Sequence, residues 1–386
     1  MKFTVNRKEL LEALTLTGRA INKSIVPAIM GYRFNINQSK LTVTGGNMEI
    51  YIHNTIDIVS TIDKLLIVPK DKIYNLLREL NDPSLEFEIT STSTQIVTEK
   101  IEVLRLVITS QSGKYNIPVE KGDDYPSFPV REAISFNVKS TDLENGIDKT
   151  LFACASDDLK PSLTAIYLNV SNGKAVYVAA NGAVLSSQPI GTPEVGDSQE
   201  FLLPKSSAAI VKDLPKDDEV RIEANDSSIT FHLFDGLIFQ SLLVDDKFPS
   251  YKPNIQVKND KHLHIDRSLL MSSIKRVTMF SSERQNYGIA FKFSENTLQV
   301  LINNNEDGAA IETLPATYQG EPITVGFNGK TLLTALDKVD GEVVYFDFTN
   351  EKLGVLLHNG NIDLKEKENF ILIMPVLLHE TLLKVS

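Results

Sequence analysis

The stretch Leu243-Val244-Asp245-Asp246-Lys247-Phe248-Pro249-Ser250-Tyr251 decides the fold, because its proline corner has two counterparts elsewhere in the chain. The counterparts are Asp123-Asp124-Tyr125-Pro126 and Leu372-Ile373-Met374-Pro375. The three corner prolines lie 123 and 126 residues apart. This spacing is too long for a solenoid repeat and fits tandem whole domains. The sequence therefore predicts three similar domains, called the first, second and third repeats here, at residues 1–128, 129–252 and 253–386, the third with a C-terminal extension.

Each repeat contains two amphipathic segments. Apolar residues at three- and four-residue spacing, such as Leu10 and Leu14, predict helices. Asp266 and Asn328 stand where N-caps are expected. The six helical windows are residues 6–21, 70–80, 140–155, 205–214, 267–280 and 329–339.

Between these helices the chain alternates apolar and polar residues with period two. Residues 220–224 and 229–233 predict a hairpin around Asn225-Asp226. A meander is predicted with strands at 345–348, 353–357 and 362–364. The predicted fold class is α+β, in which each of three tandem domains packs two helices on antiparallel sheets.

Composition narrows the class of protein. The chain has 386 residues, a net charge of −11 and a single cysteine, Cys154. One cysteine excludes a disulfide framework and a multi-cysteine metal site. Met1 leads directly into a predicted strand without a signal peptide, and no window approaches a membrane span. We therefore expect a cytoplasmic protein, with Cys154 as a small buried residue.

Charge is distributed unevenly. The six helical windows carry +5 and the remaining residues −16. If the helices face one way, that face is positive and can hold phosphates without reading sequence. Such contacts are weak, roughly 10⁻⁴–10⁻⁶ M at physiological salt, which suits a protein that slides on DNA. The alternative is that helix surfaces simply carry Lys and Arg.

Each sequence pattern that suggests catalysis or cofactor binding lacks a required residue or has a simpler structural explanation. Gly329-Lys330-Thr331 has Thr324 in place of the first glycine of a phosphate-binding loop. His262 and His264 share a strand face but lack a third metal ligand. The acidic pairs at 123–124 and 245–246 are better explained as turn residues. We expect no catalytic residue, no metal and no cofactor.

At this point the sequence resembles a known family. Met1-Lys2-Phe3-Thr4-Val5, Val26-Pro27-Ala28-Ile29, Phe248-Pro249-Ser250-Tyr251, Gly326-Phe327-Asn328 and Ile373-Met374-Pro375 are similar, in order, to the bacterial sliding clamp, the beta subunit of DNA polymerase III. The resemblance covers essentially the whole chain. It implies a noncatalytic processivity factor of the polymerase III complex in DNA replication.

The resemblance also implies a ring. Two chains would join head to tail as a homodimer, so that six similar domains surround duplex DNA without sequence preference. The interface would involve Tyr115 of one chain and Met279 and Phe280 of the other. The cations placed towards the DNA, by the resemblance or by the charge count, are Arg19, Lys23, Lys149, Lys205, Arg267, Lys275 and Arg276.

The family carries a pocket between its second and third domains, where the polymerase catalytic subunit, the clamp loader and repair proteins dock short apolar motifs. For most of its apolar positions, core packing is the competing explanation. The matching positions here are Lys160, Ser162, Ala180, Gly182, Val184, Leu185, Pro249, Asn254, Asn328, Thr331, Leu372, Ile373, Met374, Pro375 and Val376.

The chain departs from the family pattern twice. Ala183-Val184 stands where the family often has His-Arg, so an apolar wall is expected in place of a cationic one. The chain also continues through residues 379–386, which either fray or, as a sharper hypothesis, fold Leu382 and Leu383 over the pocket.

The leading functional interpretation is a processivity clamp. The alternative is a clamp paralogue with an altered pocket and a regulatory or repair role. An unrelated β-rich binding protein or hydrolase with duplicated domains is a third possibility, and it predicts a monomer with no topological hold on DNA.

Overall fold

A computed structural model describes residues 1–96, 99–129, 131–156, 159–171, 173–195, 197–255, 258–283, 286–304 and 308–377. The side chains of residues 93–102, 254 and 304 are outside this description. Leu382, Leu383 and the rest of the segment 378–386 also lie outside the described residues. Within the described residues, no helix is long and apolar enough to cross a membrane.

All six predicted helices are confirmed. The caps predicted at Asp266 and Asn328 are confirmed too, since their side chains accept hydrogen bonds from the backbone N–H groups of Leu269 and Thr331. Asn6 caps the first helix in the same way. The helices are α1 (Arg7–Thr17), α2 (Lys70–Glu79), α3 (Ser140–Leu151), α4 (Lys205–Asp213), α5 (Arg267–Thr278) and α6 (Gly329–Asp337).

The strands alternate with the helices along the chain. In order they are β1 (Lys2–Asn6), β2 (Gly31–Asn37), β3 (Lys40–Gly46), β4 (Ile50–Asp57), β5 (Val59–Ser60), β6 (Asp63–Pro69), β7 (Ser84–Ile96), β8 (Glu99–Thr109), β9 (Lys114–Lys121), β10 (Ile134–Lys139), β11 (Ala165–Ser171), β12 (Lys174–Ala180), β13 (Val184–Pro189), β14 (Gln199–Pro204), β15 (Glu219–Ala224), β16 (Ser228–Phe234), β17 (Leu237–Leu242), β18 (Lys261–Asp266), β19 (Gly288–Ser294), β20 (Thr297–Asn304), β21 (Gly308–Pro315), β22 (Thr317–Gln319), β23 (Ile323–Asn328), β24 (Val343–Phe348), β25 (Val355–His358) and β26 (Phe370–Ile373).

The chain divides into two compact units. The first unit contains residues 1–140 and 209–243, and the second contains residues 141–208 and 244–386. Both units are therefore built from more than one sequence repeat. The second repeat is divided between them, because its strand β17 pairs with β4 of the first repeat and its strand β13 pairs with β26 of the third.

The first unit is built on antiparallel strands in the order β10-β15-β16-β17-β4-β3-β2-β6-β9-β8-β7-β1-β5. The predicted hairpin is present as β15 and β16. Leu14 of α1 and Leu77 of α2 are fully buried in the same core cluster as Phe34 and Phe87 of the strands. The 3–4 apolar spacing of the helices therefore forms the core as predicted.

The second unit contains a nine-stranded sheet, β14-β11-β12-β13-β26-β25-β24-β18-β22, and a four-stranded sheet, β21-β20-β19-β23. Phe291 of β19 contacts Phe327 of β23 and Phe346 of β24, with ring centroids 5.1 and 6.2 Å apart, so aromatic packing links the two sheets. Ile274 of α5 and Leu336 of α6 are fully buried.

One predicted strand is wrong. Residues 362–364 form a loop with a single bridge, between Asp363 and Glu368. β25 pairs with β24 on one side and with β26 on the other. The backbone N–H groups of Lys365 and Glu366 both donate to Asp363 Oδ1. This side-chain capping competes with a strand ladder at a position where the apolar pattern alone favours a strand.

Candidate functional site

Four pocket positions of the second repeat lie at the turn between β12 and β13, namely Ala180, Gly182, Val184 and Leu185. Asn181 Oδ1 accepts hydrogen bonds from the backbone N–H groups of Ala183 and Val184, each at 3.0 Å. Gly182 has a φ of +87°, in the left-handed region that favours glycine. The turn is therefore fixed by its own residues.

The end of β26 runs beside this turn. Leu372 lies opposite Leu185 in the β13–β26 ladder. Beyond the strand, the Met374 N–H donates to the Ala183 carbonyl at 2.8 Å, and the Val376 N–H donates to a carbonyl of β23 at 2.9 Å. The second and third repeats are thus joined by backbone bonds at the predicted pocket, and Pro375 is held between the two.

The pocket region has an apolar floor. Leu185 and Ile255 are buried in one cluster, and Ala180 and Leu372 pack against it while staying half-buried. Met374 remains 38% exposed. An apolar partner side chain could therefore contact Leu372 and Met374 without any rearrangement of the core.

Four predicted pocket side chains are core residues, namely Leu185 of the cluster above and three others. Ser162, Val184 and Ile373 are 4%, 2% and 3% exposed. Val184 and Ile373 face each other across the β13–β26 ladder. An apolar wall was expected at Ala183-Val184. Because Val184 is buried, only the short, exposed side chain of Ala183 can form that wall.

The Asp246 side chain, at the acidic corner beside the predicted pocket, accepts hydrogen bonds from two backbone N–H groups. Its Oδ2 accepts the Ser162 N–H at 3.1 Å and its Oδ1 accepts the Lys247 N–H at 2.7 Å. The Lys247 and then the Ser162 hydrogen bonds hold the pKa of the Asp246 carboxyl below its usual range. Lys160, which is exposed, precedes the short helical turn Pro161–Thr164 that Asp246 fixes. The interpretation of this corner as structural is consistent with these bonds.

Pro249 is exposed at the rim of a cavity of about 480 Å³. Phe248 stacks on Tyr167 with ring centroids 5.1 Å apart. Glu368, whose side chain is 4% exposed, also lines the cavity and pairs with Lys174. The side chain of Asn254, in the next turn, lies outside the described residues.

The start of α6 contributes Asn328 and Thr331, both half-buried. Asn328 Oδ1 accepts the Thr331 N–H at 2.9 Å, and Asn328 Nδ2 donates to the Asn286 carbonyl at 2.7 Å. The Lys330 ammonium lies 3.4 Å from the centroid of the Tyr287 ring, a cation–π geometry. These contacts tie the start of α6 to the loop that follows α5.

Cations predicted to face DNA fall into two groups. Arg19, Lys23 and Lys275 are exposed, and the Arg19 guanidinium donates to the Asp213 carbonyl at 3.3 Å. The other four bind groups within the second unit, and one of them, Arg276, is exposed as well. They are Lys149, Lys205, Arg267 and Arg276. The helical charge excess therefore overstates the number of cations available to a ligand.

Lys149 forms an ion pair with Asp340. Its neighbour Asp148 forms the reciprocal pair with Lys338 at 2.8 Å. The end of α3 and the end of α6 are thereby joined by two crossed ion pairs.

Arg267, at the start of α5, caps the end of α6. Its Nη1 donates to the Leu336 carbonyl at 3.1 Å and its Nε to the Gly341 carbonyl at 2.9 Å. Arg276 forms a bidentate pair with Glu312, with both N···O distances 2.6 Å. Cations near helix C-termini stabilise the carbonyls that have no partner in the helix, and a charge count cannot separate this role from phosphate contact.

Lys205, at the start of α4, binds the loop after α3. Its ammonium donates to the carbonyls of Cys154 and Ala155 at 3.2 and 3.4 Å and to Ser156 Oγ at 3.1 Å. Cys154 is buried as expected, and burial raises the pKa of its thiol to about 12.

Lys70, which is not among the predicted site residues, makes the equivalent contacts in the first repeat. Its ammonium donates to the carbonyls of Gly18 and Ile21 at 2.8 and 3.2 Å. The signal was present, since both Lys70 and Lys205 follow a proline that ends a strand.

Residues implied at the ring interface lie at strand edges and a helix end. Tyr115 is on β9, which pairs with β8 through residues 114–119 but with β6 only through Glu120 and Lys121. Met279 and Phe280, at the end of α5, are 78% and 37% exposed. Among the described residues, no group of three His, Cys, Asp or Glu side chains is placed to hold a metal ion.

Comparison with known proteins gives three consecutive family matches. Residues 1–129 match the N-terminal domain of the DNA polymerase III beta subunit, residues 137–250 its central domain and residues 255–375 its C-terminal domain. The beta sliding clamp of Escherichia coli strain K12 is 24% identical over 367 residues, covering 93% of this chain and 96% of that protein.

Solved structures share the fold. The DNA polymerase sliding clamp of Bacillus subtilis superposes with a TM-score of 0.89 at 19% identity, covering 98% of this chain and 100% of that one. The sliding clamp of Pseudomonas aeruginosa bound to griselimycin gives 0.87 at 23% identity, with the same coverage. Because the three domain matches follow one another across nearly the whole sequence, the chain belongs to the family of DNA polymerase III beta subunits, the bacterial sliding clamps.

Proposed function

We propose that this noncatalytic clamp closes with a second copy into a head-to-tail ring around duplex DNA and holds replication proteins there. The observation that carries the proposal is the run of three domain matches, each on a stretch with two helices and antiparallel strands. Two such chains supply six similar domains, and a head-to-tail contact that closes gives a ring. Topology then retains the clamp on DNA while phosphate contacts stay weak.

The ring would close through two free strand edges. Among the strands that the structure describes, β21 is an outer strand of its sheet, and β9 has a partner on one side only around Tyr115. Exposed apolar side chains, Met279 and Ile311 at 78% and 49%, lie on α5's end and on β21. Edges of this kind readily pair with another chain, and Tyr115 of one copy would pack against Met279 and Phe280 of the next.

Partner proteins would dock at the pocket beside β13 and β26. The support is an apolar surface formed by the half-buried Ala180 and Leu372 and the exposed Met374. Phe248, which precedes the exposed Pro249, packs against the same cluster as Ala180 and Leu372. Such a surface suits a short apolar motif, with the replicative polymerase, the clamp loader and repair proteins as carriers. The short Ala183 offers no hydrogen-bond donor in its side chain, so partners would be selected mainly by apolar contact.

DNA would be contacted by the exposed cations Arg19, Lys23 and Lys275. Sequence-independent phosphate contact requires charge and proximity only.

The assembly is tested by light scattering at several concentrations. A mass of twice 42.9 kDa that persists on dilution is expected. Met279→Glu combined with Ile311→Asp should reduce the mass to that of one chain, because both charges would be buried in the closed ring. Val343→Asp, at a 38% exposed apolar residue outside the proposed interface, serves as the control. A native protein that stays at 42.9 kDa at every concentration contradicts the ring.

A further inference from the structure

The strongest unexplained feature is the shared contact of Lys70 and Lys205. In two repeats, a lysine at the first position of the second helix binds the carbonyls that follow the first helix. We propose that Lys70 positions the loop that carries Lys23 against DNA, and that it does not itself contact a phosphate. The inference rests on the proposed function, because it assigns Lys70 a part in DNA contact.

Ile21 is buried in one core cluster and Val26 packs against another, but residues 22–25 between them have little packing of their own. The loop lines a cavity of about 700 Å³ together with Met30 and Lys70. Ile25 is fully exposed, and Lys23 is exposed. A loop with a cavity on one side and an exposed isoleucine gains little from apolar burial, so its conformation depends on polar contacts.

Lys70 makes polar contacts at the point where the chain enters this loop. Its ammonium donates to the Gly18 carbonyl at 2.8 Å and to the Ile21 carbonyl at 3.2 Å. Ile21 is the core residue that precedes Lys23 in the loop, at 7% exposure, and it stands two residues before Lys23. A cation at the carbonyl end of α1 also matches the sign of the helix dipole. Lys70 therefore fixes the direction in which the chain leaves the core towards Lys23.

Lys70 is poorly placed to bind a phosphate at the same time. It is half-buried, and an ammonium has three hydrogens, two of which are committed to carbonyls. Lys72, on the same helix, is exposed and lines the same cavity. It provides a control with the same charge and a similar location.

The experiment uses the full chain and a short DNA duplex, titrated at several salt concentrations. Variants Lys23→Gln, Lys70→Met, Lys72→Met and the double variant of Lys23 and Lys70 are compared, with amide hydrogen exchange of residues 18–26 measured alongside. Losing one phosphate contact should weaken binding roughly fivefold in about 0.15 M salt and lower the salt slope by about 0.9. We expect Lys23→Gln to show this loss and Lys70→Met to show a similar one, with faster exchange in the loop.

The double variant decides between positioning and direct contact. If Lys70 acts through Lys23, the double variant binds no more weakly than Lys23→Gln alone, and Lys70→Arg, which can still donate to both carbonyls, restores binding and slow exchange. Additive losses, or unchanged exchange in Lys70→Met, would overturn the inference. So would Lys72→Met accelerating loop exchange as much as Lys70→Met. If Lys23→Gln leaves binding intact, the proposed DNA contact at Lys23 has failed, while loop exchange still reports whether Lys70 holds the loop.

Discussion

In the first and third repeats, the start of the second helix binds the loop that follows the first helix, but through different groups. α2 begins with Lys70, whose side chain binds the loop after α1. α6 begins with Gly329, whose backbone N–H donates to the Tyr287 carbonyl at 2.9 Å and so binds the loop after α5 directly. A Cβ on Gly329 would clash with Thr278 Oγ1. In the third repeat the start of α6 lies too close to the end of α5 for a side chain at position 329. A backbone N–H group therefore makes the contact that a lysine makes in the first repeat.

The two helix starts have different neighbours: an exposed loop lies beside α2, and predicted pocket residues lie at the start of α6. The lysine of the first repeat holds a loop with the exposed Lys23. In the third repeat the close backbone contact leaves Asn328 and Thr331 at the predicted partner pocket. Under the proposed function, the same repeated fold would carry a DNA-facing loop in one copy and a protein-binding surface in another.

The largest effect is expected from Gly329→Ala. The added Cβ would clash with Thr278 Oγ1 and lie 3.1 Å from Thr278 Cγ2, and Thr278 is buried, so rotation of its side chain does not relieve the contact. We expect a loss of about 1–3 kcal/mol in the free energy of unfolding, as for other overpacked cores. Denaturant unfolding measures it.

Thr278→Ala tests the cause of this loss. It removes the clashing hydroxyl and should recover most of the stability of Gly329→Ala. Equal stability of Gly329→Ala and the native chain would show that the third repeat has room for a side chain, and the comparison would fail.

Asn328→Ala should have the next largest effect. It removes both the cap on the Thr331 N–H and the bond to the Asn286 carbonyl. We expect about 1 kcal/mol lower stability and faster amide exchange near Asn286. Asn6→Ala, which removes the cap of α1, is the matched variant and should leave the loop near Asn286 unchanged.

Lys205→Met should have a smaller and more local effect. Its ammonium bridges Cys154, Ala155 and Ser156, but the site is only half-buried. We expect a loss of about 0.5–1 kcal/mol and faster exchange confined to residues 153–156. Lys247→Met, at an exposed lysine of the same unit, controls for the loss of charge. Identical exchange in both variants would remove the parallel between Lys205 and Lys70.

The smallest effect is a difference in acid sensitivity. α1 is capped by the uncharged Asn6 and α5 by Asp266. The Leu269 N–H, and then Ser268, hold the pKa of Asp266 below its usual range. A depressed folded pKa gives stability that is present above the unfolded value of about 3.9 and is lost as the pH falls through the folded one.

Two substitutions exchange this property between the repeats. Asp266→Asn should have a lower free energy of unfolding than the native chain at neutral pH and the same one in acid. Asn6→Asp should make the stability of α1 depend on acid pH in the way that α5 does in the native chain. Unfolding measured between about pH 2 and 6 compares them. Parallel curves for Asp266→Asn and the native chain would contradict the role of the charge.

Sequence patterns predicted what depends on local periodicity. The six helices and the caps at Asp266 and Asn328 are set by neighbouring residues, and they are confirmed. The false strand at 362–364 shows the limit, because the capping by Asp363 is a side-chain choice that the apolar pattern does not record.

Partnerships over long sequence distances could not be predicted. Asp246 fixes Ser162 from 84 residues away, and Lys149 pairs with Asp340 from 191 residues away. The helical charge count therefore identified a real excess of cations but could not tell which of them are already bound within the protein.

The most direct test of the account is retention on closed DNA. The clamp is loaded on a nicked circular plasmid, and its release is followed before and after the circle is cut once. A ring that is held by topology should stay on the circle and leave rapidly when an end is created. Equal release from circular and linear DNA would contradict the claim that this chain encircles the duplex.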